Sequence, residues 1–234
     1  MTDLLVFGPH PDDLEIGLGG TIAAHAARGL RVGLCDLTAG EMGTNGTVEE
    51  RLAEAERARI VLGASWRENL RWADRQIGKD PGHLEHAVSF IRAHQPRTVA
   101  VPYWSDRHPD HVAASHVLTE AVFNAGLRRF QPGGAAAWKI EWLCYYFIND
   151  DIEPTFMIDV SEHYERKRQA LDCHASQFQR NAATDAETRL NTPLFRQLIE
   201  ARDARFGARA GVRWAEGVVV REPILRASLL KKDA

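Results

Sequence analysis

A chain of 234 residues, 44% hydrophobic and 26% charged, has the length and apolar content to bury a substantial core as a folded globular protein. Its formal charge of -3 comes from acids and bases spread along the whole chain, with no block of like charge to track a phosphate backbone, so nucleic acid is not expected as a partner. No stretch approaches the roughly 18 uninterrupted apolar residues of a membrane span, MTDLLVFG carries no basic leader and cleavage site, and Cys35, Cys144 and Cys173 lack CxxC spacing; the expectation is a cytoplasmic protein without a membrane partner and with buried thiols.

The first strand is expected over Leu4 to Gly8, a continuous apolar run of the kind buried on both faces of a sheet. A helix follows, with Ile16, Ile22, Ala23 and Ala26 at helical spacing and Gly29 where a C-terminal cap belongs. RVGLCDLT reads as the second strand, TAGEMGTNGT (38–47) as a loop rich in glycine and threonine, and VEERLAEAERARIVLG as a helix stopped by Gly63. A short strand over 68–72, a helix over 83–94 and the strand TVAVPYW (98–104) extend the alternation, which predicts a mostly parallel, doubly wound α/β sheet with right-handed crossovers. Beyond Gly134 the pattern changes: WLCYYFI (142–148) and TFMIDV (155–160) read as strands, SEHYERKRQALDCHASQF (161–178) as a helix, 191–211 as helical, and EGVVVREP (216–223) as a late strand. No repeat, low-complexity segment or long linker interrupts the chain, so residues 1–234 are expected to form one domain with a C-terminal extension.

Ligands of such sheets gather beyond the carboxyl ends of the strands, where strand order reverses. His10, Asp12 and Asp13 stand just past the first strand, and SDRHPDH (105–111) supplies Arg107, His108, Asp110 and His111 just past another. In a doubly wound order these strands are neighbours and the two clusters face each other. Either cluster alone is ordinary helix-start chemistry, an acid at a cap and Pro109 at a first helical position. Together, His10, His111 and a carboxylate match a catalytic zinc site, three protein ligands with one position open for water. Asp12 and Asp13 are consecutive in a turn and cannot point the same way, so one can hold the metal while the other faces the water as a general base. His108 can then donate to a developing oxyanion or protonate a leaving amine, with Asp110 holding its ring. These are the parts of a metal-dependent amide hydrolase.

The pairing of HPDD after the first strand with HPDH after a later one resembles the LmbE-like or PIG-L family of zinc deacetylases, which remove acetyl groups from N-acetylglucosamine-containing molecules. The similarity continues through DLTAGEMGTNGTVEERLAEA, DRHPDH, SQF (176–178) and WAEGVVV (214–220). It implies a Rossmann-like sheet, with His10, Asp13 and His111 as zinc ligands, Asp12 as general base and His108, helped by Asp110, as the oxyanion-stabilising or acid group. Ferrous iron or another divalent ion also suits such a donor set. Within the family, TAGEMGTNGT, the DRHPDH form and the length most resemble the bacillithiol-pathway branch, which deacetylates N-acetylglucosaminyl malate. That branch implies a small-molecule substrate and a homo-oligomer, often a hexamer. A malyl group carries two carboxylates, which arginine recognises in bidentate fashion, so Arg51 and Arg107 are candidates to bind it; Asp74, in WADR, resembles a position that binds sugar hydroxyls. Near Leu194 to Arg196 the resemblance implies a tyrosine, and here Phe195 stands without the hydroxyl.

Gly17, Gly19 and Gly20 also raise a dinucleotide-binding reading, but a His-Pro-Asp-Asp turn intervenes and two carboxylates repel a pyrophosphate; close packing of helix on sheet is expected instead. Other N-acetylglucosamine conjugates, an inositol glycoside or a chitooligosaccharide, are the alternative substrates, and a non-catalytic metal-binding protein is the alternative of a different class. The remaining histidines lie on helical stretches and read as surface or structural residues, with His116 the one nearest His111.

Overall fold

The computed structural model describes residues 1–225 and Ser228. Fifteen-residue α1 (Asp13–Ala27) follows β1 (Thr2–Gly8), and the chain then runs β2 (Val32–Thr38), α2 (Val48–Leu62), β3 (Trp66–Trp72), α3 (Gly82–His94), β4 (Pro96–Pro102) and α4 (Pro109–Ala125). The C-terminal part adds β5 (Trp142–Tyr146), β6 (Phe156–Asp159), α5 (Tyr164–Cys173), α6 (Ala175–Phe178), α7 (Pro193–Ala210) and β7 (Ala215–Val219). One seven-stranded sheet has the order β3-β2-β1-β4-β5-β7-β6, parallel from β3 through β5, with β7 antiparallel to both β5 and β6. The expected mixed, mostly parallel α/β fold is the one observed, and the C-terminal extension completes its sheet.

Period-two alternation distributes the core over both faces. Leu4 and Val6 of β1 pack with α1, α2, α5 and α7, whereas Leu5 and Phe7 pack with α3 and α4. β1 pairs in parallel with both β2 and β4, Leu4 opposite Val32 on one side and Thr98 on the other. Strand order therefore reverses between β1 and β4, and the loops leaving these two strands open on the same edge.

Local chemistry sets the helix ends. Thr47 and Glu50 form a reciprocal capping box on α2, and Gly63 ends it in the left-handed conformation. Gly17 and Gly20 serve close packing, as expected: a Cβ on Gly17 would lie 2.2 Å from the Tyr146 ring and one on Gly20 2.7 Å from Val160. Several boundaries differ from expectation. β4 begins at Pro96 and ends at Pro102, so Tyr103 and Trp104 already belong to the loop. The helix expected over 161–178 divides at His174, whose φ of -85° and ψ of 55° are not helical. The three cysteines are free thiols, Cys35 and Cys144 buried and Cys173 only half-buried. Among the described residues no helix is long and apolar enough to cross a membrane.

Candidate active site

The turn after β1 is held from β2, because the Thr38 backbone N–H and hydroxyl both donate to the Pro9 carbonyl, at 3.1 and 3.0 Å. Asp12 follows with a φ of 132°, a left-handed region costly for any residue with a Cβ, and strain of this kind persists where surrounding structure over-determines it. Asp13 then starts α1, and its Oδ2 accepts the His10 backbone N–H at 2.9 Å. On the other side of the switch point His108 is the N-cap of α4, Pro109 takes the first helical position, and His111 lies in the first turn.

Two imidazoles converge on one carboxylate oxygen. His10 Nδ1 lies 3.1 Å and His111 Nε2 3.4 Å from Asp13 Oδ2, and all three residues are buried. Ligand atoms about 2.0–2.1 Å from a tetrahedral zinc ion lie about 3.3 Å from one another, so this donor set and spacing can hold one divalent cation. The far nitrogens are supported as metal-binding imidazoles usually are. His10 Nε2 faces Asp74 Oδ1 at 3.2 Å and Asp110 Oδ2 at 3.4 Å, and His111 Nδ1 faces Asp106 Oδ1 at 3.1 Å.

The electrostatics favour positive charge here. Burial lowers the pKa of His10, but hydrogen bonds to Asp110, Asp13 and Asp74 outweigh it and carry the imidazole well above its ordinary value. Burial pushes the Asp13 carboxyl up, and His111 and His10 more than reverse this, leaving it far below the usual carboxylate range. Asp12 behaves differently: burial, with Asp13 adding, raises it to about 6 against the opposing pull of Arg51. His108 is lowered by burial and then by His111 and His10. Its Nδ1 accepts the Asp110 backbone N–H at 3.2 Å, so the neutral ring carries its proton on Nε2.

His10, Asp12, Asp13, His108 and His111 line a cavity of about 480 Å³ together with Arg51, Asp74 and Arg107. Three of the expected roles change with the contacts. Asp110 does not hold the His108 ring with its carboxylate, which instead accepts from the Arg75 backbone N–H and guanidinium at 2.9 and 2.8 Å and faces His10. Arg51 is no open carboxylate clamp: it is buried, donating to the Gly40 and Pro11 carbonyls and to Asp12 Oδ2. Asp74 has one oxygen on His10 and the other on the Met42 N–H, so it supports the imidazole rather than standing free for sugar hydroxyls. Arg107 differs from all of these. It is exposed on the cavity wall and makes no hydrogen bond or ion pair among the described residues.

Several residues of the site escaped the sequence reading, Asp106 as the partner of His111 and three others on the cavity wall. Asp106 sits inside the SDRHPDH motif five residues before His111 and was legible there; Gln177 belongs to the SQF stretch and lies on α6, whereas Asn149 and Arg189 come from later loops with no pattern to mark them. Arg189 donates to Asn149 Oδ1 and lies 4.9 Å over the Phe195 ring. Phe195 itself is buried and lines the cavity. His116 is exposed on α4, outside the site, whereas His174 is fully buried.

Comparison with known proteins gives a consistent picture. Residues 5–122 match the family model described as PIG-L: GlcNAc-PI de-N-acetylase. The diacetylchitobiose deacetylase of Thermococcus kodakarensis is 31% identical over 92% of this chain and 81% of its own length. A 1D-myo-inositol 2-acetamido-2-deoxy-alpha-D-glucopyranoside deacetylase of a Nocardioides species is 25% identical over 74% of this chain and 82% of its own. Among solved structures, the conserved protein TT1542 of Thermus thermophilus superposes with a TM-score of 0.88 at 35% identity, covering 99% of this chain and 100% of that one.

Proposed function

The chain belongs to the PIG-L family, and from that premise we propose that it is a metal-dependent hydrolase that removes the acetyl group from an N-acetylglucosamine conjugate. One observation carries the reading. His10, Asp13 and His111 gather into a three-ligand cluster while their neighbour Asp12, also buried and lining the same cavity, stays outside the cluster with its Oδ2 on Arg51. A purely structural site has no use for a second, unligated carboxylate beside it.

When bound there, a divalent cation supplies Lewis-acid charge for water and for the amide carbonyl. Zinc is the first choice for a donor set of two imidazoles and a carboxylate, and ferrous iron fits the same set. The chain's own residues do the rest. Asp12, lifted toward neutrality by burial, takes a proton from the attacking water as its oxygen bonds to the acetyl carbon. His108, with its proton on Nε2, donates a hydrogen bond to the oxyanion, and the proton that Asp12 took passes to the nitrogen as the C–N bond breaks, releasing acetate and the free amine and leaving Asp12 ionised again. Arg51 holds Asp12 in place, and Asp74, Asp106 and Asp110 hold the two imidazoles.

For the conjugate, Arg107 supports an anionic group such as the malyl dicarboxylate of N-acetylglucosaminyl malate, because it is a guanidinium on the cavity wall unpaired among the described residues, with Arg189 beside it. The named activities of the relatives favour a second reading, an inositol glycoside or diacetylchitobiose. The deciding experiment is amine release from all three conjugates by the purified protein, zinc-loaded and chelated. Release that vanishes on chelation and returns with zinc is expected. With the malate conjugate as substrate, Arg107→Gln raises KM about tenfold, the size of one lost charge-assisted hydrogen bond, and leaves diacetylchitobiose unaffected. Release from the uncharged conjugates alone removes the malate assignment, and zinc binding with no release from any removes the hydrolase reading.

A further inference from the structure

The WAEGVVV stretch places a glutamate in the middle of an apolar strand, and the catalytic chemistry makes no use of it. Glu216 of β7 is 1% exposed, and its carboxylate accepts two backbone N–H groups in the middle of α1, Gly20 at 2.9 Å and Thr21 at 2.7 Å. Amides in the middle of a continuous helix are already bonded four residues back. These are free because α1 is interrupted: Leu18 has a φ of -133° and a ψ of 19°. Glu216 therefore caps the start of the second segment of α1 as an N-cap carboxylate would.

The first segment is held at its other end. Arg202 of α7, also buried, donates from Nη2 to the Ile16 carbonyl at 2.6 Å and from Nη1 to the carbonyls of Phe147 and Ile148 at 3.1 and 3.0 Å. One guanidinium thus ties the turn that carries Asp12 and Asp13 to the chain leaving β5. The next residue of that chain, Asn149, donates to Asp106, the partner of His111. Arg202 and Glu216 are joined through Asp203 and Lys167, with Arg202 Nε to Asp203 at 3.0 Å and Lys167 Nζ to Asp203 and Glu216 at 2.7 and 2.6 Å.

We infer that Arg202 and Glu216 are positioning residues of the site: they hold the first turn of α1 as a separate element and so fix the separation between the Asp13 and His111 halves of the three-ligand cluster. Neither touches substrate or ligand atoms. The effect passes through the Ile16 carbonyl, one hydrogen-bonded turn from Asp12, whose own carbonyl accepts the Ile16 N–H at 3.0 Å. The kinetic part of the test rests on the deacetylase reading, whereas the metal part does not.

The variants are Glu216→Gln, which keeps the shape but turns an amide N–H toward one of the two backbone donors, and Arg202→Lys, which keeps the charge but cannot reach both α1 and the chain leaving β5. Ile91→Ala, in the core of α3 away from the site, is the control for lost stability. Zinc affinity, read by competition with a chromogenic chelator, is expected to fall about tenfold or more in both variants, the range of outer-shell changes at metal sites, and to stay within twofold in the control. On whichever conjugate the wild type deacetylates, kcat is expected to fall about tenfold with KM within twofold, the pattern of a displaced catalytic group rather than a lost binding contact. Wild-type zinc affinity in both folded variants overturns the inference, as does failure of both to fold, since the network then serves folding alone. A wild type that binds zinc and deacetylates nothing overturns the proposed function and leaves the zinc comparison to decide this one.

Discussion

Two buried polar clusters meet α1, one at its interruption and one at its first residue, and they are balanced differently. At the interruption Arg202 and Lys167 face Asp203 and Glu216, two cations against two carboxylates, and each charged group has hydrogen-bonded partners at 2.6–3.1 Å. At the first residue Asp12, Asp13, Asp74, Asp106 and Asp110 crowd around His10, His108 and His111, with Arg51 and Arg75 the guanidiniums in hydrogen-bond contact. A neutral, fully paired network rigidifies the fold and asks for nothing more. A surplus of carboxylates held by imidazoles suits an entering cation, whose binding would then be coupled to the stability of the loops that supply its ligands.

The largest expected effect breaks the second cluster without emptying it. Asp12→Asn removes the proposed base but leaves the His10, Asp13 and His111 donors in place, so kcat for amine release should fall about a thousandfold, within the usual range for a general base, while zinc affinity stays within twofold. Loss of zinc instead would make Asp12 a ligand, and activity within tenfold of wild type would remove it from the reaction.

The first cluster is broken by taking away one cation. Lys167→Met leaves two buried carboxylates, Asp203 and Glu216, facing the single cation Arg202, and a buried pair that loses one partner costs about 3–5 kcal/mol. Urea denaturation at neutral pH should show a loss of that size. A loss under about 1 kcal/mol would mean that the two carboxylates are not held by Lys167, and the contrast between the clusters would lapse.

The two clusters were unequally legible in the sequence. Buried parallel strands are apolar runs, so β1 and β4 were visible in the sequence, and the polar groups just beyond them had to share an edge; this is why His10, His111 and one of the two carboxylates Asp12 and Asp13 could be placed together from their positions, the choice of Asp13 resting on the family resemblance. What separates Asp12 from Asp13 is a backbone φ of 132°, which no residue pattern encodes. Arg51 reads in the sequence as a candidate for binding substrate carboxylates, and its burial against the loop over 40–46 and the Pro11–Asp12 turn is set by contacts distant in the chain. Asp110 sits beside His108 in the chain, but the loop after β3 delivers Arg75 to its carboxylate. The other cluster was out of reach for a related reason. Its members come from α5, α7 and β7, and their meeting depends on an antiparallel strand returning to the sheet at a register that the chain order does not reveal.

A third cluster, between the other two along α1, sharpens the contrast with a smaller effect. Glu15 is fully buried, with Arg67 at 2.5 Å and the His174 ring at 3.3 Å, and Arg67 also grips Asp36 with a two-pronged contact. Burial alone would raise the Glu15 carboxyl; Arg67 and then His174 outweigh it and hold it down at about 2 against an ordinary 4.5. Asp36, under the same Arg67, stays raised because its burial prevails. A carboxylate lowered on folding adds stability that is fully present above its unfolded value and is lost as pH falls through the folded one, so the Glu15 contribution should drain away from pH 4.5 down toward 2. That contribution is on the order of 3 kcal/mol. Glu15→Gln should therefore be less stable than wild type at pH 7 by about that amount, and the two stability curves should converge in acid, because the amide has no proton to gain. Parallel curves from pH 7 to acid would show that Glu15 is matched to Arg67 by shape alone, and that balanced charge behind the site does not set its acid limit.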